Sequence, residues 1–143
     1  MAETIQFICH INNRTSVPLK LKSFDQEWGK CTDGPNQCPV EIAVKEQKLA
    51  FRCSGRRGSS SGTEGTAVYQ LGDDPEVWIK IYWDVTWCAG CDNHLKTGAS
   101  DEDIAVEANG FSGSGSVEDV TIKVIDGRGQ HATTAAGDRK VRA

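Results

Sequence analysis

Aromatic side chains gather around a carboxylate in one segment of the sequence, where they could bind the polar end of an amphiphile. Residues 81–88 read IYWDVTWC, so two tryptophans and a tyrosine flank Asp84. An indole ring suits the headgroup level of a bilayer because its body is apolar and its N–H stays hydrated. A carboxylate among aromatic faces also suits a cationic choline or ethanolamine headgroup. Strand alternation leaves open the alternative that Trp83 belongs to the core.

Two tryptophans stand in settings that favour the surface. Trp28 precedes Gly29 in the sequence EWGK, and Trp87 stands in a polar loop after a predicted strand. Glycine and polar residues of this kind are typical of loops. We therefore expect Trp28 and Trp87 at loop mouths, with a place in the core as the alternative.

Six cysteines raise the question of thiol or metal chemistry. Cys88 and Cys91 form a CxxC motif, but no helix is predicted after it, as thioredoxin-like chemistry would require. A zinc site joining this pair to Cys31 and Cys38 would supply four thiolates, although the second pair is spaced more widely than in zinc knuckles. Disulfides and free thiols both stay open. We expect no metal and no cofactor.

Catalytic chemistry finds no support in the sequence. The three histidines, His10, His94 and His131, stand far apart, without an HExxH or GxSxG motif nearby. The segment from Gly55 to Gly58 lacks the Lys-Ser/Thr and the following helix of a phosphate-binding loop. We therefore predict a binding protein that is not an enzyme and has no catalytic residues.

Length and charge narrow the class of protein further. The 143 residues suit one domain, and 16 basic against 20 acidic residues give a net charge of -4. A negative chain does not attract phosphate backbones, so we expect no nucleic acid partner. No apolar run reaches the roughly 20 residues of a spanning helix, and the first residues lack a signal-peptide pattern. We expect a soluble protein, cytoplasmic or released by a leaderless route, that acts at a target-cell membrane.

The elements that must position these residues are short β-strands. Apolar and polar residues alternate in several segments, and no window longer than about eight residues has a convincing helical period. The predicted strands cover residues 5–12, 17–21, two runs within 41–51, 67–71, 77–83, 104–108 and 117–125. Hairpins are expected between the first two strands and within 41–51. We predict an all-β, single-domain sandwich of two antiparallel sheets over residues 1–126, with little or no helix, and a polar, disordered tail over 127–143.

Three motifs in the chain stand in an order that is known from one protein family. EWGK at 27–30 resembles that family's SWGK, and YWDVTW at 82–87 resembles its YWDCPWG. Between them, CSGR at 53–56 and GTEGT at 62–66 resemble its CGRS…GTTGT segment. The sequence thus resembles the aegerolysins, small β-sandwich proteins of fungi and bacteria that recognise membrane lipids, over about residues 5–126.

The resemblance implies binding to sphingolipids, such as ceramide phosphoethanolamine or sphingomyelin with sterol. Cytolysis, including haemolysis, and insecticidal activity in this family usually require a larger perforin-like pore-forming partner or another second component. We therefore expect the small component of such a pair, and homo-oligomerisation stays open. Carried over by position, the residues expected to bind lipid are Trp28, Glu64, Tyr82, Trp83, Asp84 and Trp87.

The chain departs from the family pattern in the segment expected to touch the headgroup. Val85 and Thr86 replace a cysteine and a proline, and Cys88 replaces a glycine. The lipid specificity is therefore not predicted. One alternative is a carbohydrate- or protein-binding β-sandwich without membrane activity, whose aromatic residues stack on a sugar ring. Another is a thiol or zinc protein built on Cys88 and Cys91.

Overall fold

The computed structural model describes residues 4–31, 36–56, 62–88 and 90–128, which form eight β-strands. The strands are β1 Gln6–Asn13, β2 Leu19–Trp28, β3 Gln47–Ser54, β4 Thr63–Leu71, β5 Asp74–Val85, β6 His94–Ala99, β7 Ile104–Asn109 and β8 Val117–Asp126. They build two four-stranded sheets: the β1 sheet, with the order β3-β1-β8-β7, and the β2 sheet, with the order β2-β4-β5-β6. The predicted all-β sandwich is confirmed.

One strand pair departs from the antiparallel pattern. β1 and β8 run parallel over the whole length of β1, whereas the other neighbouring strands pair antiparallel. The predicted sandwich of two antiparallel sheets is therefore confirmed apart from this one parallel pair. Parallel neighbours need a long connection, and here the other six strands lie between them in the chain.

The alternation of apolar residues that predicts the strands also builds the core. Along β1, Phe7, Cys9 and Ile11 are fully buried, while the residues between them are only half-buried. The same period continues in β8, where Val120 and Ile122 point inward. Because the inward faces of both sheets are apolar, burying them against each other supplies the main driving force for the fold.

The hairpin predicted between the first two strands is wrong, because β1 and β2 lie in different sheets. The chain crosses between the sheets at buried Asn13, whose Nδ2 donates to Val17 O (2.8 Å) and Ala43 O (3.0 Å). Thr15 Oγ1 donates to the other side of the same amide, Asn13 Oδ1, at 2.7 Å. These bonds satisfy carbonyls that have no strand partner, so the chain can turn inside the protein.

Two further predictions differ from the structure in the central part of the chain. The hairpin predicted within residues 41–51 is wrong, since Ile42 forms an isolated bridge with Leu19 and β3 pairs with β1. The strand β6 is absent from the predictions because none of its side chains is fully buried, and its sequence HLKTGA shows no apolar alternation. β6 forms through its backbone pairing with β5.

Some predictions fall outside the described residues. β8 ends at Asp126, and the predicted tail over 127–143 is described only as far as Arg128. Residues 57–61, which include the end of the segment from Gly55 to Gly58, are likewise not described. These predictions stay predictions. In the part of the chain that the structure describes, no helix has the length and apolar character needed to cross a bilayer.

Candidate functional site

Four side chains lie next to one another across one end of the β2 sheet. The strand register pairs Trp28 with Glu64, Glu64 with Asp84, and Asp84 with His94. Residues directly opposite on neighbouring strands have their Cβ atoms about 5 Å apart and point to the same face. We call these four residues the cross-strand row. It brings together three sequence-predicted site residues and adds His94, which the sequence analysis did not select.

Tyr82 lies beside the cross-strand row and is bonded to it. Its hydroxyl donates to Glu64 Oε2 at 2.5 Å, and this hydrogen bond is the largest cause that raises the pKa of Tyr82. On the other side, Lys96 Nζ lies 5.9 Å from the centre of the Tyr82 ring, at the opposite register position on β6. The phenol therefore orients the Glu64 carboxylate and offers an aromatic face to a cation.

Asp84 carries its charge in an unfavourable setting. Its side chain is 27% exposed, and its Oδ2 lies 3.6 Å from His94 Nδ1. Burial is the main cause that raises the pKa of Asp84, the charge of Glu64 raises it further, and His94 opposes both effects. A partly buried pair of carboxylates of this kind gains from a positive group close by. The row can therefore accept an ammonium group.

Two exposed tryptophans lie at the same end of the β2 sheet as the row. Trp28 is 61% exposed at the end of β2, and Trp87 is 50% exposed just after β5. Gly62, which precedes β4, lies against the backbone of the segment that carries Trp87. A Cβ on Gly62 would stand 2.1 Å from Val85 O and 3.1 Å from Trp87 N. Glycine at this position lets the two strand ends approach each other closely.

Gly29 explains why a glycine follows Trp28 in the sequence. Its φ of +93° is in the left-handed region that other residues rarely adopt. A Cβ there would stand 2.3 Å from Ser54 O, so glycine also allows close approach to the end of β3. The turn ends β2 at Trp28 and leaves the indole exposed.

Trp83 does not belong to this surface, which corrects the prediction that it faces lipid. It is 0% exposed, because alternation along β5 points it inward. Its ring stacks on Phe7 at 5.2 Å between centroids and on Phe24 at 5.5 Å, and it packs against Phe51 at 5.0 Å. Trp83 Nε1 donates to Thr63 Oγ1 at 3.1 Å. Trp83 therefore supports the site from the core, as the alternative in the sequence analysis holds.

A buried carboxylate that the sequence analysis missed anchors the segment before Trp87. Glu118 is 1% exposed and accepts hydrogen bonds from Asn93 Nδ2 at 2.7 Å and from Ser112 N at 2.8 Å. Asn93 Oδ1 accepts the backbone N–H of Thr86 at 3.0 Å. Since Trp87 directly follows Thr86, this network fixes the point from which the indole extends.

A disulfide lies next to the exposed indole. Cys88 and Cys91 are bonded to each other directly after Trp87. The disulfide, Trp87 and Ile5 contribute to the wall of a hollow of about 230 Å³. Asp84 does not line this hollow, so the carboxylates of the row and the hollow are separate features of the same end of the molecule.

The zinc alternative does not match this arrangement. Cys88 and Cys91 are already bonded to each other, so their sulfurs are not thiolates that could join Cys31 and Cys38 around a metal. Within the described residues, no three His, Cys, Asp or Glu side chains are grouped so as to hold a metal ion. The two cysteine pairs therefore need separate explanations.

The described residues form a two-sheet β-sandwich with exposed indoles beside paired carboxylates at one end. Comparison with protein families gives a match to Aegerolysin over residues 5–127. The chain therefore belongs to the aegerolysin family. This membership indicates that it binds membrane lipids.

Relatives and solved structures agree with this assignment. Aegerolysin Aa-Pri1 of Cyclocybe aegerita is 23% identical over 124 residues, which cover 80% of this chain and 86% of that protein. RahU, solved in complex with a TRIS molecule, has a TM-score of 0.72 at 18% identity, covering 86% of this chain and 96% of RahU. IP-1A from Alcaligenes faecalis has a TM-score of 0.69 at 22% identity, covering 87% and 93%. The lipid binding protein Nakanori has a TM-score of 0.64 at 14% identity, covering 84% and 70%. These structural matches show the fold.

Proposed function

We propose that the chain binds membranes whose lipids carry a zwitterionic phosphate–amine headgroup, with sphingolipids such as ceramide phosphoethanolamine or sphingomyelin with sterol as the target class. We further propose that it acts as the small component of a pore-forming, cytolytic or insecticidal pair. The observation that carries the first proposal is the cross-strand row of carboxylates beside exposed Trp28 and Trp87.

The two indoles supply the contact with the bilayer. At 61% and 50% exposure, Trp28 and Trp87 hold more apolar surface in water than an interior tryptophan would. An indole gains by entering the interfacial layer, where its ring leaves water and its N–H keeps hydrogen-bonding partners. Because both tryptophans lie at the end of the sheet that holds the row, a membrane that they contact places headgroups next to Glu64 and Asp84.

The row and Lys96 beside it together offer both signs of charge to such a headgroup. Glu64 and Asp84 can accept an ammonium group, and the ring of Tyr82 adds an aromatic face. His94 and Lys96 occupy the next register positions on β6 and can donate to a phosphate. A zwitterionic headgroup therefore meets complementary charges on neighbouring strands, which a purely anionic headgroup does not.

Cosedimentation with vesicles tests the proposal. The vesicles contain ceramide phosphoethanolamine, sphingomyelin with sterol, or phosphatidylcholine alone as the reference. We expect binding to at least one sphingolipid mixture and weaker binding of the Trp28→Ala and Trp87→Ala variants. Trp78→Ala is the matched control, because Trp78 is also on β5 but lies opposite Gln70, at the far end of the sheet from the row.

Two outcomes would contradict the proposal. One is the absence of cosedimentation with every sphingolipid mixture. The other is binding on a glycan array without binding to vesicles, which would favour the carbohydrate-binding alternative. Loss of binding in Trp78→Ala equal to that in Trp28→Ala would show that the effect does not come from this end of the sheet.

Release of a dye trapped in vesicles tests the proposed role in a pair. We expect the chain alone to bind without releasing dye, and dye release to require a larger perforin-like protein or another second component. Dye release by the chain alone, at concentrations that saturate binding, would contradict the role as a small component.

A further inference from the structure

Three cysteines that are not in a disulfide lie together at the β3 edge of the β1 sheet. The sulfurs of Cys31 and Cys38 are 3.5 Å apart, and the Cys38 thiol also donates to Cys31 O at 3.5 Å. Cys53 on β3 lies between Arg52 and Ser54, whose backbones bridge to the residues just before Cys38 and Cys31. Cys31 and Cys53 are buried, whereas Cys38 is exposed. The group therefore reaches from the core to the surface.

Backbone bridges hold these cysteines in place. Lys30, just before Cys31, forms a two-way bridge with Ser54, with N–O distances of 2.8 and 2.9 Å. Gln37, just before Cys38, forms a similar bridge with Arg52, with distances of 3.1 and 2.9 Å. The two bridges flank Cys53 in the sequence of β3. The approach of the thiols is thus set by strand pairing and does not depend on side-chain rotamers alone.

The electrostatics of the group single out one sulfur as the nucleophile. The interaction with Cys53 is the main cause that lowers the pKa of Cys31, burial opposes it, and the interaction with Cys38 lowers the pKa further. Burial is the main cause that raises the pKa of Cys38, and the bond to Cys31 raises that of Cys53. A thiolate that accepts hydrogen bonds from neighbouring thiols is stabilised in the same way as any other bonded anion. The directions of these pKa shifts favour Cys31 over Cys38 and Cys53 as the first of the three to lose its proton.

We propose that Cys31 and Cys38 form an oxidisable dithiol that hydroperoxides convert into an intramolecular disulfide. The sulfur of the Cys31 thiolate attacks the O–O bond of hydrogen peroxide, so that an S–O bond forms, the O–O bond breaks, and hydroxide leaves to become water. The Cys38 sulfur then attacks the sulfenic sulfur of Cys31, the S–S bond forms, and the S–O bond breaks with loss of a second water. The two thiols supply the two electrons that reduce the peroxide.

The other cysteines lack this combination of features. Cys9 is fully buried, and burial is the main cause that raises its pKa, so it stays a thiol. Cys88 and Cys91 are already paired. Cys38 alone in the group is both exposed and in contact with a second sulfur, which makes it the resolving thiol and the route of access.

Mass spectrometry tests the dithiol directly. The full chain is treated with a small molar excess of hydrogen peroxide, blocked with N-ethylmaleimide and digested without reductant. We expect a cross-linked peptide that joins Cys31 to Cys38 and is lighter by two hydrogens than the reduced pair. The cross-link should also raise the Tm by several degrees relative to the reduced protein, because it constrains the unfolded chain.

The variant Cys38→Ser serves as the matched control. Its side chain is exposed, so the fold is expected to persist, and a thermal melt checks this. In this variant no cross-link forms, and the Cys31 sulfenic acid persists and reacts with dimedone. A cross-link between Cys31 and Cys53, or oxidation of Cys38 while Cys31 stays reduced, would overturn the assignment. These readouts report covalent state alone, so they do not depend on the proposed lipid binding.

Discussion

At the residue scale, the site contains a carboxylate, that of Asp84, in a position where burial disfavours the charged form. Asp84 is only partly exposed, and Glu64 lies opposite it on the neighbouring strand. Burial and the Glu64 charge both raise the pKa of Asp84, and contact with His94 offsets only part of this. A carboxylate in such a position serves binding better than it serves stability.

The variant Asp84→Asn separates these two roles. The folded protein holds the Asp84 proton more tightly than the unfolded chain, so ionisation of Asp84 costs stability as the pH rises above its ordinary pKa of 3.8. We expect Asp84→Asn to have a higher Tm than the parent at neutral pH and to lose this advantage as the pH falls toward 3.8. Differential scanning calorimetry over that pH range measures the difference.

The same variant is expected to bind sphingolipid vesicles roughly 10- to 150-fold more weakly, because a hydrogen bond to a charged group contributes about 1.5–3 kcal/mol. Cosedimentation at neutral pH measures this loss. Asp119→Asn on the β1 sheet is the control, since Asp119 also lies next to a histidine, at 3.1 Å from His10, but on the other sheet. Equal losses of binding in the two variants would count against a specific role for Asp84.

At the element scale, the site depends on how closely β2, β4 and β5 approach one another. Gly65 on β4 lies over the ring of Trp83, and a Cβ there would stand 2.7 Å from its Cζ2 and 2.6 Å from Asp25 O. The glycine in the motif GTEGT therefore has a packing role, because it leaves room for the buried indole beneath the sheet.

Gly65→Ala is expected to destabilise the protein by about 1–3 kcal/mol, because the added methyl overpacks a filled region of the core. Urea denaturation followed by tryptophan fluorescence measures the change. Gly98→Ala on β6 is the matched control, since a Cβ at Gly98 meets nothing within 4 Å. There we expect no loss, or a small gain from the lower entropy of the unfolded chain. Equal effects at both positions would contradict the packing role of Gly65.

The hydrogen bonds of Glu118 also act at the element scale, because they join the start of β8 to the segment before Trp87. Glu118→Gln keeps the shape of the side chain but faces Asn93 and the backbone N–H of Ser112 with one acceptor fewer. We expect a loss of about 1–3 kcal/mol in the free energy of unfolding. Chemical denaturation checks this, with exposed Glu107→Gln on β7 as the control.

Hydrogen exchange at Thr86 should report the same loosening locally, since its N–H is bonded to Asn93. We expect faster exchange of this amide in Glu118→Gln than in the parent. Unchanged exchange there, together with unchanged stability, would show that the network does not hold the segment that carries Trp87.

The sequence predicts most of the strands because apolar and polar residues alternate along them, and this alternation indicates which face is buried. It does not predict β6, whose side chains are exposed or half-buried. It also places β2 in the wrong sheet, because the chain leaves the β1 sheet after Asn13. The sheet crossing depends on side-chain hydrogen bonds to carbonyls distant in sequence, such as Ala43 O, and local patterns do not contain that information.

Prediction of the site succeeds and fails for related reasons. Trp28, Glu64 and Asp84 come together because sequence motifs lie at strand ends that the register aligns. Trp83 carries the same motif signal as its neighbours, but its position in the alternation of β5 directs it into the core. Glu118 stands two residues before buried Val120 on β8, so the alternation of that strand is the signal by which this buried carboxylate could have been found.

At the scale of the whole molecule, the net charge of -4 and the carboxylates of the cross-strand row both oppose binding to an anionic membrane surface. A protein that docks through basic residues is drawn to anionic lipids and released by salt. This chain instead presents carboxylates at its aromatic end, so the long-range field works against an anionic surface. Its choice of membrane should therefore rest on short-range contacts with individual headgroups.

Adding phosphatidylserine to sphingolipid vesicles is accordingly expected to weaken binding at low ionic strength. Raising the salt concentration should restore binding, because screening removes the repulsion between the protein and the anionic lipid. Binding to vesicles without phosphatidylserine should change little with salt, since the partly buried contact at Asp84 is less exposed to screening. Cosedimentation across a matrix of phosphatidylserine content and salt concentration measures both effects. If phosphatidylserine strengthened binding and salt reversed that gain, docking would run through the lysines, and the acidic row would not be the surface that meets the membrane.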